Sequence, residues 1–265
     1  MNNKDDNISV EGIKAFLVFP EFSENIKVFS EIDSTNREAK VLAGNGVPHG
    51  SVVIADHQTS GRGRFSRSFF SLEGKGLYIS FVLRSDRLQF SDTTVITAYA
   101  GLCVCEAIES VCGFVPSIKW VNDVYLNGKK ICGILTEGVA NPESGGIVDI
   151  ILGIGINFSI KPDDFPNDIR DRAGSLYPDG FPKVTRNELA AGIIDRILAP
   201  GEFCEKDIFM RYKKRLFMLG SDITVIQGNI EYNAKALDIN DTGHLIVKKD
   251  SGEILTLSSG EISIK

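Results

Sequence analysis

The segment VPSIKWVNDVYLNGKKICGILTE, residues 115–137, decides the architecture. Three short runs within it, 115–120, 123–126 and 131–137, are rich in β-branched and apolar residues and read as strands. Asn127-Gly128 separates the second from the third, and that dipeptide suits a type I′ turn, whose two central residues both need positive φ. Strands joined by so tight a turn must run antiparallel. A doubly wound nucleotide-binding sheet instead alternates strand and helix. The segment therefore counts against a doubly wound sheet and favours hairpin-joined strands in an α+β fold.

Working outward, residues 25–29 read as an entering strand, followed by a helix through Leu42 that Ser34 or Thr35 could cap. Gly44, Gly46 and Pro48 end that helix before a strand at 51–55. LYISFVL (77–83) is a strong strand, and the apolar residues at 95, 98, 102, 105 and 108 recur at helical spacing across 92–111. The run 148–156 is almost continuously apolar and predicts a central strand. Residues 161–183, rich in Pro, Asp and Gly, predict a long surface connection, and 187–198 and 205–216 predict amphipathic helices. Beyond Gly220 come four or five short strands, a small β-barrel or curled sheet that must dock on a larger body. The expected organisation is an N-terminal extension (1–24) with an unstructured polar start at 1–6, a catalytic-sized domain (25–219) and a small β domain (220–265).

The 265 residues carry a net charge of -6, opposite to the bias of proteins that coat a phosphate backbone. No stretch resembles an export signal, and none approaches the roughly 20 apolar residues that span a bilayer. Cysteines at 103, 105, 112, 132 and 204, an odd number in largely apolar surroundings, predict buried thiols in a reducing compartment and a cytoplasmic protein. Cys103 and Cys105 lie two apart on a helix and would not share a face, which argues against zinc; His49, His57 and His244 have no partners at ligand spacing.

Chemistry concentrates in four segments. DHQTSGRGRFSR (56–67) places Arg62, Arg64 and Arg67 beside Gly61 and Gly63, which would let the backbone approach an anion. A solvated basic loop or an RNA contact are the other readings. Neither the Walker spacing nor G-x-G-x-x-G is present. Lys119 lies between Ile118 and Trp120 in a strand, so its side chain faces away from both; it is either aimed at a site or set on a solvated face. Asn122 and Asp123 could simply turn the chain, and Asp123 could also hold a metal ion or position the lysine. EIDSTN (31–36) offers mixed donors and acceptors at a helix start, which an ordinary cap would also explain. In LGIGINFS (152–159), Gly153 and Gly155 interrupt a central strand, as close ligand approach requires.

Together EIDSTN (31–36), ADHQTSGRGR (55–64), KWVNDVYLNGKKICGILTE (119–137) and GIGINFS (153–159) resemble the biotin–protein ligase family, also called biotin–[acetyl-CoA-carboxylase] ligase. The resemblance is strong over 27–160 and continues through Arg211-Tyr212 to GEISI (260–264). It implies a class II synthetase-like mixed-sheet catalytic domain followed by a small SH3-like β-barrel. It also implies ATP-dependent activation of biotin to biotinyl-5'-AMP, then transfer to a lysine of a biotin carboxyl carrier protein or domain, with Mg²⁺ as a cofactor whose ligands are unassigned. By the same resemblance Ser34, Thr35, Asn36 and Gln58 would hold the biotin head group. Gly61–Arg64 would fold over the adenylate, with Arg62, Arg64 and Arg67 supplying charge. Lys119 would bridge carboxylate and α-phosphate, with Asn122 beside it. Gly133 and Ile134 would line the biotin pocket, and Gly155 and Asn157 the adenylate side.

Three positions depart from the family: Val121 stands for the usual proline, Cys132 for alanine and Phe69 for tryptophan. About 25 residues precede the first core strand, too few for the helix-turn-helix domain of some members, so no operator binding is expected. A lipoate–protein ligase and a noncatalytic vitamin-binding module are the rival readings. An edge strand could pair two subunits, which leaves a homodimer open.

Overall fold

The computed structural model describes residues 6–88, 92–140, 147–199, 204–228 and 230–264. The polar start, apart from Asp6, lies outside them. In chain order the elements are α1 (Val10–Lys14), β1 (Ile26–Ile32), α2 (Thr35–Gly44), β2 (Ser51–Gln58), β3 (Gly76–Arg84) and α3 (Thr93–Ala107). Then follow β4 (Ser117–Lys119), β5 (Asp123–Leu126), β6 (Lys129–Ala140), β7 (Ile147–Asn157), α4 (Arg186–Leu198) and α5 (Glu205–Lys213). The chain ends in β8 (Asp222–Gln227), β9 (Ile230–Ile239), β10 (Leu245–Lys249), β11 (Ile254–Leu257) and β12 (Glu261–Ile264).

The first seven strands form one sheet in the order β1-β2-β3-β7-β6-β5-β4. Only β1 and β2 run parallel; the remaining neighbours are antiparallel. The hairpin expected at Asn127-Gly128 joins β5 to β6, with φ of 51° and 75° at its two central residues. The hairpin read from residues 115–137 and the mixed sheet that the resemblance implied are thus both present. The last five strands make a second, antiparallel sheet in the order β11-β10-β9-β8-β12, the expected small β domain.

Period-two alternation gives the large sheet two unlike faces. On one, Val52, Ile54, Ile79, Phe81, Leu152, Ile154 and Ile156 pack with α3 and α4 into the main core. On the other, a smaller cluster of Val53, Val82 and Ile151 packs under Ala39, Leu42 and Ala43 of α2. Fully burying one such aliphatic side chain stabilises by about 1.5–3 kcal/mol. The second face is covered by α2 only in part, and the uncovered remainder holds the site.

Two expectations change. The helix Thr93–Cys112, formed by α3 and the π-turn that follows it, is long and apolar enough to cross a membrane by length and composition. It is instead the central helix of the core, with its middle from Val95 to Ile108 buried except at Tyr99 and Glu106. Residues 161–183 are more than a surface connection: Phe165, Leu176 and Tyr177 are buried, and the chain bridges to β6 at Lys130 and Ala173.

The N-terminal segment is stitched to α4. Arg186, 3% exposed, pairs with Asp6 and Asp56, and Asn187 accepts the Ser9 N–H. The small β domain is held where Trp120 Nε1 donates to Gly243 O at 2.9 Å. Gly243 has φ of 77°, and an added Cβ there would meet the Phe209 ring of α5 at 2.2 Å.

Candidate active site

Strand register assembles the site. Lys119 on β4 pairs with Asp123 on β5, Asp123 with Gly133 on β6, Gly133 with Gly155 on β7, and Gly155 with Tyr78 on β3. These five form one row across the sheet on the α2 side. The next row on that face runs Leu135, Gly153, Ser80. Glycine on neighbouring strands empties the face, and other groups use the space. A Cβ at Gly155 would lie 2.7 Å from the Phe69 ring, one at Gly133 3.1 Å from the same ring, and one at Gly153 2.0 Å from Asn36 Oδ1. Phe69 therefore occupies the aromatic position over a glycine floor.

The floor opens into a cleft of about 220 Å³ lined by all the expected site residues except Gly61. Lys119 points away from buried Ile118 into this cleft, with Nζ 3.7 Å from Asp123 Oδ2 and 5.6 Å from the centre of the Tyr125 ring. Asp123 also holds Lys130 Nζ at 2.6 Å. Of the three roles left open for Asp123, positioning the lysines is the one its contacts support. Asn122 exchanges hydrogen bonds with the Ile134 backbone, each 2.9 Å long, and accepts from Arg64 at 3.1 Å. The Trp120–Val121 peptide is cis. The Val121 carbonyl accepts from the buried Tyr212 hydroxyl at 2.7 Å, so α5 braces the backbone below Lys119.

The arginine loop is closed on itself. Phe69 N donates to Gly61 O at 2.9 Å and Gly63 N to Arg67 O at 2.7 Å. A Cβ at Gly61 would sit 2.5 Å from Phe69 O, so this glycine serves closure of the loop rather than approach to a ligand. At Gly63 the nearest atom would be 3.5 Å away. Arg64 reaches Gly260 O as well as Asn122, and Arg67 donates to Glu261 at 2.6 Å, which brings the C-terminal sheet to the rim. Burial depresses the Arg64 guanidinium, partly offset by Asp123 and Glu261.

At the other end lies a polar network beginning at α2. Ser34 is the N-cap residue, yet its hydroxyl makes no capping bond. Gln58 Oε1 accepts from Thr35 N at 2.8 Å and lies 3.1 Å from the Thr35 hydroxyl. The Ser80 hydroxyl sits 2.8 Å from Thr35 Oγ1 and 2.6 Å from Asn36 Oδ1. Asn36 Nδ2 donates to Glu137 Oε2 at 2.8 Å, while Lys40 at 2.7 Å and Arg62 at 3.7 Å hold the other carboxylate oxygen. Burial would raise the Glu137 carboxyl, but the hydrogen bonds from Lys40 and Asn36 keep it below its ordinary value.

Asn157 donates to Gly174 O at 2.9 Å, and its buried Oδ1 has no partner among the described residues. An unpaired buried acceptor costs about 1–3 kcal/mol, which a ligand N–H would recover. Ile134 lines the cleft but sends its side chain into the core toward Gly101. Sequence reasoning missed Ser80, Glu137, Lys130, Arg172 and Gly260–Ile262. A serine within LYISFVL and a second lysine facing Asp123 were the available signals.

No group of three His, Cys, Asp or Glu side chains suited to hold a metal occurs among the described residues. The cleft is lined instead by six cations, Arg62, Arg64, Arg67, Lys119, Lys130 and Arg172, against the carboxylates Asp123 and Glu261. That balance suits a polyanionic ligand at one end, and the amide and hydroxyl groups suit a neutral polar ring at the other.

Comparison with known proteins agrees. Residues 28–157 match the biotin/lipoate A/B protein ligase family, and residues 218–265 match the biotin protein ligase C-terminal domain. The bifunctional ligase/repressor BirA of Bacillus subtilis is 36% identical over 241 residues, covering 88% of this chain and 72% of its own. The biotin–[acetyl-CoA-carboxylase] ligase of Mycobacterium tuberculosis is 28% identical over 89% of this chain and 88% of its own. Among solved structures, the Aquifex aeolicus biotin protein ligase in complex with biotin and ATP superposes with a TM-score of 0.76, at 30% identity, over 91% of this chain and 99% of that one.

Proposed function

The chain belongs to the biotin/lipoate A/B protein ligase family, and from that premise we propose how its cleft divides the labour of a biotin–protein ligase. The enzyme activates biotin with ATP and transfers it to protein. The observation that carries the assignment of roles is the placement of Lys119, Asp123, Arg64 and Arg67 at one end of a glycine floor, with the amide–hydroxyl network, its Glu137 and Arg62 at the other.

The Ser34, Thr35, Asn36 and Gln58 end holds the ureido ring, because both donors and acceptors are presented there. The biotin carboxylate then lies along the floor toward Lys119. Its oxygen attacks the α-phosphorus of ATP, a P–O bond forms, and the bond to pyrophosphate breaks. Two anions must meet, and Lys119, held by Asp123, together with Arg62 and Arg64 offsets their repulsion and the charge developing in the transition state. The buried Asn157 acceptor suits an amino group on the nucleotide side. Mg²⁺ fits here as an ion carried on the triphosphate, where it would neutralise the oxygens of the leaving pyrophosphate.

In the second step a neutral lysine amine of a carboxylase carrier domain attacks the acyl carbon, and AMP leaves. Until then the closed arginine loop and the Gly260–Ile262 rim shield the mixed anhydride from water. The cations face into the cleft of a chain with net charge -6, which supports a reading without nucleic-acid binding. Free cysteines support a cytoplasmic setting, and the outer strand β1 gives an edge through which copies could pair as a homodimer, whereas that of β4 is taken by Arg215–Phe217.

Biotin-dependent exchange between ATP and pyrophosphate tests the reading. Exchange with biotin and not with lipoate is expected. Exchange with lipoate alone would make it a lipoate ligase, and exchange with neither acid would leave a binding module.

A further inference from the structure

We infer that Glu137, which does not line the cleft, is a specificity-determining positioning residue: it fixes the direction of the Asn36 amide, so that Asn36 presents an N–H donor to the ligand's ring beside that of Gln58, which the Thr35 backbone N–H orients. The inference rests on the biotin reading above and extends it to a residue outside the cleft.

What each group can donate sets the direction of the network. A carboxylate only accepts, so Asn36 must turn Nδ2 toward Glu137 Oε2 (2.8 Å) and Oδ1 toward the Ser80 hydroxyl (2.6 Å). Gln58 Oε1 is fixed in the same sense, because it accepts the Thr35 backbone N–H at 2.8 Å. Its Nε2 is then the remaining donor of a side chain that lines the cleft, and it lies near Gly61. Asn36 likewise keeps a second Nδ2 proton beyond the one given to Glu137. The surface offered to a ring is therefore rich in donors and matches a carbonyl oxygen such as that of a ureido group. Lys40 (2.7 Å) and Arg62 (3.7 Å) both lie on Glu137 Oε1, so only Oε2 serves Asn36.

Glu137→Gln changes this polarity without changing shape. Its single carbonyl oxygen is claimed by the Lys40 and Arg62 cations, which cannot accept a hydrogen bond, and its NH₂ is left facing Asn36. Asn36 then turns Oδ1 toward position 137 and Nδ2 toward Ser80. The ligand-facing donor becomes an acceptor. Loss of Glu137 as a mere brace would lower stability and weaken every ligand alike.

The test uses the full chain, ATP–pyrophosphate exchange and two acids: biotin, and its guanidino analogue 2-iminobiotin, whose ring offers donors where biotin has the carbonyl oxygen. In Glu137→Gln the KM for biotin should rise about tenfold, as expected for one inverted buried hydrogen bond, while kcat and the KM for ATP stay within about twofold. The preference for biotin over 2-iminobiotin should fall by at least about tenfold. Ser80→Ala, which removes the donor that fixes Asn36 Oδ1, should reduce the same preference in part. An unchanged preference in both variants, with intact melting curves, would overturn the inference. Failure of the unsubstituted enzyme to use either acid would overturn the biotin reading instead.

Discussion

On β7, Leu152, Ile154 and Ile156 point into the main core, while Gly153, Gly155 and Asn157 point into the cleft. β3 and β6 repeat the alternation, with Phe81 against Ser80 and Cys132 against Gly133. The same backbone thus carries a filled face and an emptied one. The filled face is stabilised by transfer of apolar area from water. The emptied face gives up that burial, and its vacated volume is taken by Phe69, Asn36 and the space for ligand. Neighbouring residues on one strand should therefore fail in opposite ways when altered.

The largest expected effect is on the filled side. Leu152→Ala removes a fully buried side chain that does not line the cleft and should cost about 2–5 kcal/mol, read as a lower denaturant midpoint, with little change in KM for biotin. A Leu152→Ala protein of normal stability and weakened biotin binding would show that the two faces are not separable. Across the sheet, Lys119→Ala should lower biotin-dependent pyrophosphate release by about 10²–10³ and leave the melting curve unchanged. Turnover like that of the unsubstituted enzyme would remove Lys119 from the chemistry.

Smaller effects follow at the floor and the loop. Gly155→Ala places a methyl group where the Phe69 ring lies, 2.7 Å away, so the ring must shift into the cleft. KM for biotin or ATP should rise roughly tenfold, with a stability loss of about 1–3 kcal/mol. A neutral result at both would mean that Phe69 moves freely. Arg64→Gly removes the bonds to Asn122 and Gly260 O that tie the loop across the cleft. Activated biotin should then escape more readily, with little change in melting temperature. Retention equal to that of the unsubstituted protein would place the barrier to escape elsewhere.

The two faces were unequally legible in the sequence. Apolar runs at 77–83 and 148–156 and the Asn127-Gly128 turn sufficed for the sheet, because burial and turn geometry act on neighbouring residues. Lys119 was legible for the same reason: strand alternation alone opposes it to Ile118. Ser80 and Glu137 join the site only through register between strands distant in the chain, which no local pattern encodes, whereas Lys130 reaches Asp123 across the Asn127-Gly128 hairpin. Gly61 misled for a related reason. Its partner in close approach is Phe69 O, supplied by the loop itself, and a glycine-rich basic loop has the same composition whether it closes on a ligand or on its own backbone.

The smallest prediction concerns acid, and it separates charge from shape on the emptied face. The Glu137 carboxyl lies below its ordinary value of 4.5, because hydrogen bonds from Lys40 and Asn36 outweigh its burial. A depressed folded-state value means that the unfolded chain binds this proton more readily. Its contribution to stability is therefore fully present above about pH 5 and is lost as pH falls below 4.5 through the folded value. Lys40 is one-third exposed, so solvent screens the pair and the contribution should stay below about 1 kcal/mol. Glu137→Gln lacks the titration. Its stability deficit relative to the unsubstituted protein, read from urea midpoints, should be constant between pH 6 and 8 and shrink on acidification below about pH 4.5. A deficit that stays constant to pH 3.5 would mean that Glu137 acts through shape and hydrogen-bond count rather than through its charge. The inversion argued for Asn36 rests on donor and acceptor count, so either outcome leaves it to the test with the two acids.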